Sequence, residues 1–502
     1  MLSKNYSMTI SGLEAVLVDL EVDSRNGLAG QTIVGLPDTA VKESKERVLS
    51  AIKNSGYSVP VNKFLTINLA PADLRKVGTL YDLPIAIGIL QSTQQINLKI
   101  NGQYLLAGEL GLDGQVKAMN GALLLAIMAK EKGFEYIIIP EQNVREASLI
   151  RGINIISVTS LADAIEKLSC VSPACNNVMQ CSQTKGFSLD FSDVKGQEFA
   201  KRALEIAAAG NHNIFMIGPP GCGKSMLAKR IPSIFPDLSE DELIEVIKIY
   251  SISGKLKNKE SLFSVQPFRS PHHTISYAGL IGGTSQAKPG EITLAHNGIL
   301  FLDEIPEFSR QVLEALRQPM EDGVVHVSRA NSSFSYPASF MLVASANPCP
   351  CGYSNHPSIT CKCNASQKKA YQQRISGPLW DRFDMFVEML PISEKEILSR
   401  SAGENSSDVK MRITAARNIQ KKRLNKSNAQ ISAKEIESIC SLTGDSAEIF
   451  EKAVKSYKLS ARAVHKILKI SRTIADMEAK ENIELLHILE ALQYRSIKHE
   501  SQ

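Results

Sequence analysis

The sequence predicts an α/β protein in several parts, on three observations. A short apolar segment, 213–217, runs straight into Gly218-Pro219-Pro220-Gly221-Cys222-Gly223-Lys224-Ser225 and then into a helix-compatible stretch, 226–231. Two further apolar runs, 299–302 and 339–344, each end in polar residues suited to a ligand crevice. Residues 1–168 alternate strand-like and helix-like segments, whereas residues 393–502 repeat apolar positions at helical spacing, as at Val464, Ile467 and Leu468. A chain of 502 residues is also too long for one core.

In chain order, the first region (1–168) reads as strands at 15–22, 64–69, 104–108 and 136–139, with helices at 39–55 and 121–132. A linker is expected at 169–188, where Ser, Cys, Asn and Gln accumulate without a period. A second α/β region follows at 189–392, and an all-helical region at 393–502. Hydrophobic content of 43% and charged content of 22% are those of an ordinary soluble protein. No apolar run approaches the roughly 20 residues of a membrane span. The first residues lack a basic start and an apolar core, so a cytoplasmic chain without membrane partners is expected. Nine cysteines in such a chain argue against a disulfide framework. A net charge of +5 permits nucleic-acid binding without requiring it.

The glycine-rich run fits the phosphate-loop pattern G-x-x-x-x-G-K-[ST] at every fixed position. Its glycines let backbone N–H groups curl round a triphosphate, and the following helix start adds positive potential. Lys224 would reach the β- and γ-phosphates, and Ser225 would offer its hydroxyl to Mg²⁺. ATP and Mg²⁺ are therefore the expected cofactors. The plainer alternative is a glycine-rich turn without a ligand. Downstream, the apolar run 299–302 delivers Asp303-Glu304. Asp303 would hold Mg²⁺ through water, and Glu304 would orient and deprotonate the attacking water. The third run ends in Ser345-Ala346-Asn347-Pro348, where Asn347 would bond the γ-phosphate or the nucleophilic water.

These runs belong to an ordered series. Asp193-Val194-Lys195-Gly196-Gln197 precedes the phosphate loop; Trp380-Asp381-Arg382-Phe383-Asp384 and Leu459-Ser460-Ala461-Arg462 follow it. The series resembles the AAA+ ATPases, and among them the magnesium-chelatase/MCM branch. That resemblance implies that Asn347 is the first sensor, Arg462 the second sensor in a helical lid, and Arg382 an arginine finger. In that family the finger acts on a neighbour's nucleotide, which implies a homo-oligomeric ring, usually a hexamer. The plainer alternative for Arg382 is an ion pair with Asp381 or Asp384.

A closer resemblance, over nearly the whole chain, is to the YifB/ComM family of magnesium-chelatase-like ATPases. It rests on the segments 34–48, 68–73 (Asn68-Leu69-Ala70-Pro71-Ala72-Asp73) and 82–87, on Arg269-Ser270-Pro271-His272-His273-Thr274, on Asn347-Pro348-Cys349-Pro350-Cys351-Gly352, and on Arg472-Thr473-Ile474-Ala475-Asp476. It implies an ATP-driven motor for DNA branch migration in recombination and natural transformation. A motor that remodels a protein partner, or one of metal-chelatase type, is the alternative. The first region resembles the Lon-protease/ribosomal S5-like domain. Ile85 and Leu123 stand where proteolytic relatives carry a serine and a lysine, so peptide hydrolysis has no nucleophile or base there. Lys117 and Lys130, the nearest lysines, read as surface residues.

Two further features are open. Cys349, Cys351, Cys361 and Cys363 form a C-x-C…C-x-C set for which a structural Zn²⁺ site, free thiols and a labile disulfide are alternatives, with His356 a substitute ligand. For DNA, residues 324–336 read as a hairpin resembling the one that MCM-like helicases point into the ring pore. Arg329 near its turn would grip a phosphate; an exposed turn arginine is the plainer reading. The run 410–426 carries seven basic residues (Lys410, Arg412, Arg417, Lys421, Lys422, Arg423, Lys426) and no acid. It would follow a nucleic-acid backbone, or form a solvated face or protomer contact.

Overall fold

The structure is a computed structural model describing residues 1–170, 189–256, 266–283, 288–329, 332–354, 356–391, 403–442 and 444–495. The expected linker lies outside the described residues from 171 onward. The chain divides into two compact units: Met1–Gln183 with Leu243–Phe263, and Thr184–Glu242 with Ser264–Gln502. The helix Glu240–Ser253 crosses this division, and from Leu243 on it belongs to the first unit. The order of residues does not announce that grouping, because this helix lies in the chain between the phosphate loop and the acidic strand.

In the first unit, β1 (Leu2–Ser11), β2 (Glu14–Asn26), β3 (Gly30–Val34) and β4 (Lys63–Ala70) form a sheet in the order β1-β2-β4-β3. Its pairs are antiparallel except for β3 with β4. Alternate residues of β2, Val18, Leu20 and Val22, are fully buried, as the period of a half-buried strand requires. The sequence reading gives no strand at β1, and its inward face shows why. Ser3, Asn5, Ser7 and Thr9 are buried there, so the hydrophobic alternation is missing. Two of those polar groups serve the helix Asp82–Ser92, while Thr9 donates to the Arg75 carbonyl at 3.3 Å and Ser7 Oγ is buried without a partner among the described residues. The Ser3 hydroxyl donates to the Gly88 carbonyl at 2.8 Å, and Asn5 Nδ2 to Gln91 Oε1 at 3.0 Å. Gly88 brings the helix close, since a Cβ there would lie 2.7 Å from Val22 Cγ2.

Further along, β5 (Tyr104–Leu106) joins β8 (Tyr136–Pro140) and β9 (Asn154–Val158) in a parallel sheet, while β6 (Glu109–Leu110) and β7 (Val116–Lys117) pair with each other. The helix Thr39–Asn54 starts at Asp38, whose carboxylate accepts the Val41 N–H at 2.8 Å. The helix Ala122–Glu131 starts at Gly121 in the left-handed region (φ 84°), and the Gly121 N–H donates to Ser251 Oγ at 2.8 Å. Buried Glu146 accepts from that same hydroxyl, from the Leu123 N–H (3.0 Å) and from Asn143 Nδ2 (3.2 Å). Burial raises its pKa above the usual carboxylate value against those hydrogen bonds.

The second unit is built on one parallel sheet. Its strands are β10 (Ile214–Ile217), β11 (Phe268–Arg269), β12 (Gly298–Leu302), β15 (Phe340–Ala346) and β16 (Met385–Glu388), in the order β11-β12-β15-β10-β16. The antiparallel hairpin of β13 (Val324–Arg329) and β14 (Ser332–Pro337) stands apart from it. All of β12 is buried, as expected of a parallel strand covered on both faces. Phe215 packs on Trp380 at 4.6 Å and edge-on to Phe383 at 5.2 Å, fixing the root of β10. Past residue 403 the described chain is helical: Ser406–Leu424, Ala433–Ile439, Asp445–Tyr457, Ala461–Met477 and Leu485–Gln493.

Candidate functional site

Three neighbouring strands of the second unit, β12, β15 and β10, end side by side, and each ends in a polar group. The loop 218–223 leaves β10 and the helix Lys224–Ala228 follows it. Gly221 and Gly223 have φ of 79° and 95°, where an L side chain is strained, and a Cβ on either would meet nothing within 4 Å. This is an open backbone cradle at a helix start. Gln197, itself at φ 61°, steadies it by donating to the Cys222 carbonyl (3.1 Å) and the Leu390 carbonyl (2.7 Å).

Lys224 lies folded into that cradle. Its ammonium donates to the carbonyls of Gly218 (2.6 Å) and Pro219 (2.9 Å) and to Asn347 Oδ1 at 3.2 Å. Burial lowers its pKa, because neutral acceptors offset desolvation of a cation less well than an anion does. Asp303, at the end of β12, accepts from Ser225 Oγ at 2.5 Å and also from Ser345 Oγ. The next residue, Glu304, is exposed and in the left-handed region (φ 52°); its N–H reaches Asp303 Oδ1 (3.1 Å) and Ser345 Oγ (3.2 Å). The residues fit a magnesium–triphosphate. They offer a buried cation lacking an anionic hydrogen-bond partner, open backbone N–H groups, and a hydroxyl–carboxylate pair of oxygen donors suited to a hard cation.

The structure thus gathers Lys224, Ser225, Asp303, Glu304 and Asn347 from points far apart in the chain. It adds Ser345, whose hydroxyl ties the two acidic residues to β15 and for which the sequence motifs imply no role. Its one signal is its place two residues before Asn347 at a buried strand end.

Arg382 and Arg462 hold carboxylates elsewhere. Arg382 pairs with Glu321, and its Nε is buried without a hydrogen-bond partner among the described residues. The expected alternative, a pair with Asp381 or Asp384, does not form. Asp381 faces Arg462 at 3.6 Å, while Asp384 takes the Asn213 N–H (2.9 Å) and Lys466 (3.2 Å). Asp384 therefore anchors the root of β10. Behind it, His212 is buried, donates to or accepts from Thr473 Oγ1 at 2.8 Å, and is pushed down to about 4 by burial.

The four cysteines come together: Cys349, Cys351, Cys361 and Cys363 place their sulfurs within 4.8 Å of one another. All are free, so the disulfide alternative is not formed. His356 is turned to its own loop, its Nδ1 accepting the N–H groups of Ser358 (3.2 Å) and Ile359 (3.0 Å), and lies outside the thiol group. Backbone N–H groups of Tyr353 and Lys362 pull the Cys351 thiol down to about 6.

The hairpin forms at 324–337, but the side chain of Arg329 lies outside what the structure describes. The basic run is largely consumed within the protomer. Lys410 pairs with Asp237 (2.7 Å), Arg412 with Glu205 (2.6 Å) and Glu404, Lys421 with Glu242 (3.3 Å), Arg423 with Asp476, and Lys426 with Glu435 (2.6 Å). Arg417 caps the Ala208 carbonyl at 2.9 Å. A helix whose cations are so engaged is a poor track for a phosphate backbone. Two further motifs are likewise structural. Arg269 grips Glu291 through two bonds (2.5 and 2.7 Å), and buried Asp476 gathers Arg472 (3.1 Å) and Asn428 (2.8 Å). In the first unit, Ile85 and Leu123 are core residues, at 1% and 0% exposure, while Lys117 and Lys130 are exposed.

The parallel sheet, the phosphate loop and the acidic strand end define a P-loop protein of the AAA+ type. Comparison with known proteins narrows this. Three models of magnesium chelatase subunit ChlI match: subunit ChlI of Mg-chelatase at residues 20–143, magnesium chelatase subunit ChlI at 190–397, and its C-terminal part at 403–495. The chain is 42% identical over 500 residues to competence protein ComM of Haemophilus influenzae, covering 98% of this chain and 97% of that protein. It is 43% identical to YifB of Escherichia coli, covering 99% and 97%. Lon protease 2 of Bacillus subtilis is similar over a shorter stretch, 28% identical across 28% of this chain and 26% of its own length. The chain belongs to the YifB/ComM family of magnesium-chelatase-like proteins. No described helix is long and apolar enough to cross a membrane.

Proposed function

We propose that this protein is a ring-forming, cytoplasmic ATPase that turns ATP hydrolysis into movement along DNA and branch migration in recombination. The observation that carries the nucleotide chemistry is the convergence of Lys224, Ser225, Asp303, Glu304 and Asn347 at three adjacent strand ends. Similarity over almost its whole length to a protein named for competence supports the DNA role. When bound, magnesium–ATP supplies the phosphoanhydride bond whose hydrolysis drives the cycle. Lys224 and the loop N–H groups bind the phosphates; Ser225 and Asp303 supply oxygen donors for the metal; Glu304 takes a proton from water; Asn347 orients it. Ser345 fixes both acidic residues. Arg382, held by the exposed Glu321 carboxylate and by a long bond to the Pro378 carbonyl (3.5 Å), and keeping one buried N–H unused, is the residue proposed to complete a neighbour's site, as a hexamer would require. Arg462 is proposed as the second sensor in a helical lid. The first unit is proposed to be a Lon/S5-like scaffold, without peptidase activity.

The magnesium-chelatase family models favour a second reading, a motor acting on a protein partner. One experiment separates the two: ATPase rate with and without single-stranded DNA, beside branch migration on a three-stranded junction. The DNA motor expects stimulation by DNA and junction movement, both reduced in Arg329→Ala with basal ATPase retained. An active ATPase that neither binds DNA nor moves a junction leaves the protein-partner reading. Mixing Arg382→Ala with wild type tests the ring, since shared sites predict a loss that is non-linear in mixing ratio.

A further inference from the structure

We propose that Cys349, Cys351, Cys361 and Cys363 bind one structural Zn²⁺ and that this site holds the phosphate loop and Asn347 in register. Three of the sulfur pairs are 3.4, 3.7 and 3.6 Å apart, Cys349–Cys351, Cys349–Cys361 and Cys351–Cys361. Four thiolates bound at about 2.3 Å to a tetrahedral ion stand about 3.8 Å from one another, so the sulfurs are already close to that arrangement. The same compactness leaves room for a single ion rather than an iron–sulfur cluster, and an all-sulfur tetrahedral set selects zinc among common divalent cations. Backbone N–H groups complete the shell: those of Gly352 and Tyr353 face Cys349, those of Tyr353 and Lys362 face Cys351, and that of Cys351 faces Cys363. Such donors share the negative charge of a tetrathiolate and orient its sulfurs. Clustered thiols with no ion have no comparable reason to converge.

The site's position gives it a consequence. Cys349 follows Asn347 by two residues, and Asn347 accepts from Lys224. Gly352, in the left-handed region at φ 84°, lies against the phosphate loop, where a Cβ would come within 2.5 Å of Pro220 Cδ. At the other end, Cys363 runs into the helix Ala365–Gln372, capped by Asn364 and Gln367. Tyr371 on that helix receives the Asn347 N–H. The thiol cluster therefore closes a loop whose two ends both return to Asn347, with its turn resting on Pro220.

The test uses the full-length protein purified without chelator or added metal, and needs no turnover. Mass spectrometry of metals is expected to give about one zinc per chain. Refilling with Co²⁺ is expected to give the intense thiolate-to-metal absorption of a tetrahedral sulfur site. Cys351→Ser with Cys361→Ser is expected to lose the zinc and weaken equilibrium ATP binding about tenfold. Removing zinc from wild type with a chelator and restoring it is expected to do the same reversibly, which guards against misfolding of the variant. Gly352→Ala is expected to keep the zinc yet weaken ATP binding about tenfold, because its methyl group displaces Pro220. Metal-free protein with freely reactive thiols, or a disulfide in the unreduced mass, overturns the site. Zinc present in wild type but ATP affinity unchanged in all three arms overturns the coupling. Because binding is measured without hydrolysis, neither result bears on whether the protein is an ATPase.

Discussion

The first unit and the phosphate-loop edge of the second use polar residues in opposite ways. In the first, Asp82 is fully buried and bonded to Arg47 Nε at 3.0 Å; Ser3, Asn5 and Thr9 spend their polar groups on backbone and side chains of the same unit, as Glu146 does. In the second, Lys224 is buried on neutral acceptors and Glu304 stands exposed at a strand end. A polar residue whose bonds are complete inside the fold is holding the fold. One whose bonds are left incomplete at an open edge is waiting for a ligand. A sequence motif singles out both kinds of residue, and only hydrogen-bond accounting tells them apart.

The largest effect is expected of Glu304→Gln. Hydrolysis is expected to fall by about 10²–10⁴, the usual worth of a general base, with ATP binding retained. Turnover rate beside equilibrium binding checks it, and wild-type turnover would remove Glu304 from the chemistry. A lesion in the first unit has the opposite character. Gly88→Ala forces a methyl against Val22 and is expected to cost about 1–3 kcal/mol in that unit through overpacking. Trp380, the one tryptophan of the chain, reports the second unit, so its fluorescence melt is expected to stay put while circular dichroism shows an earlier loss. Coincident shifts in both signals would show that the units do not melt separately.

Ser345→Ala sharpens the site itself. It leaves Asp303 Oδ1 and the Glu304 N–H each short of one partner, worth about 1 kcal/mol, hence roughly a fivefold slower turnover. A change confined to ATP affinity would instead make Ser345 a binding residue. The smallest effect is that of pH. His212 is pushed by burial to about 4 from an unfolded value near 6.5, so it stays neutral in the fold. Its contribution is present above pH 6.5 and lost as pH falls from there towards 4. Glu146 is raised, so its contribution is present at low pH and lost as pH rises through its folded value. Mild acid is thus expected to lower the Trp380 transition more than the first unit's, and His212→Gln is expected to flatten that dependence. A pH-independent Trp380 transition in wild type would contradict the assignment.

Much of the second unit is legible in the sequence. The strands 214–217, 298–302 and 340–346 fall on the apolar runs; the second and third deliver Asp303 and Asn347 at the next residue, and the first runs into the loop that leads to Lys224. Parallel strands buried on both faces make continuous hydrophobic runs, and glycines at positive φ leave little choice of residue type. β1 is illegible for the converse reason: its buried face carries Ser3, Asn5, Ser7 and Thr9, so the usual alternation of apolar residues does not occur. The basic run 410–426 is legible as charge but not as role, since its acidic partners, Glu205, Asp237, Glu242, Glu404, Asp476 and Glu435, lie elsewhere in the chain.

By itself, then, the sequence determined the phosphate loop, the acidic strand end, the asparagine that follows the third strand, the α/β class and the family, because each is written in residues close together under tight local constraint. Only the tertiary structure decided that Ser345 links Asp303 to Glu304, that Arg382 pairs with Glu321, that four thiols converge beside Pro220, and that residues 243–263 belong with the first unit. Those are contacts between residues tens to hundreds of positions apart. Local propensity carries no information about them; they follow from which strands lie side by side, and that is settled by burying one continuous core.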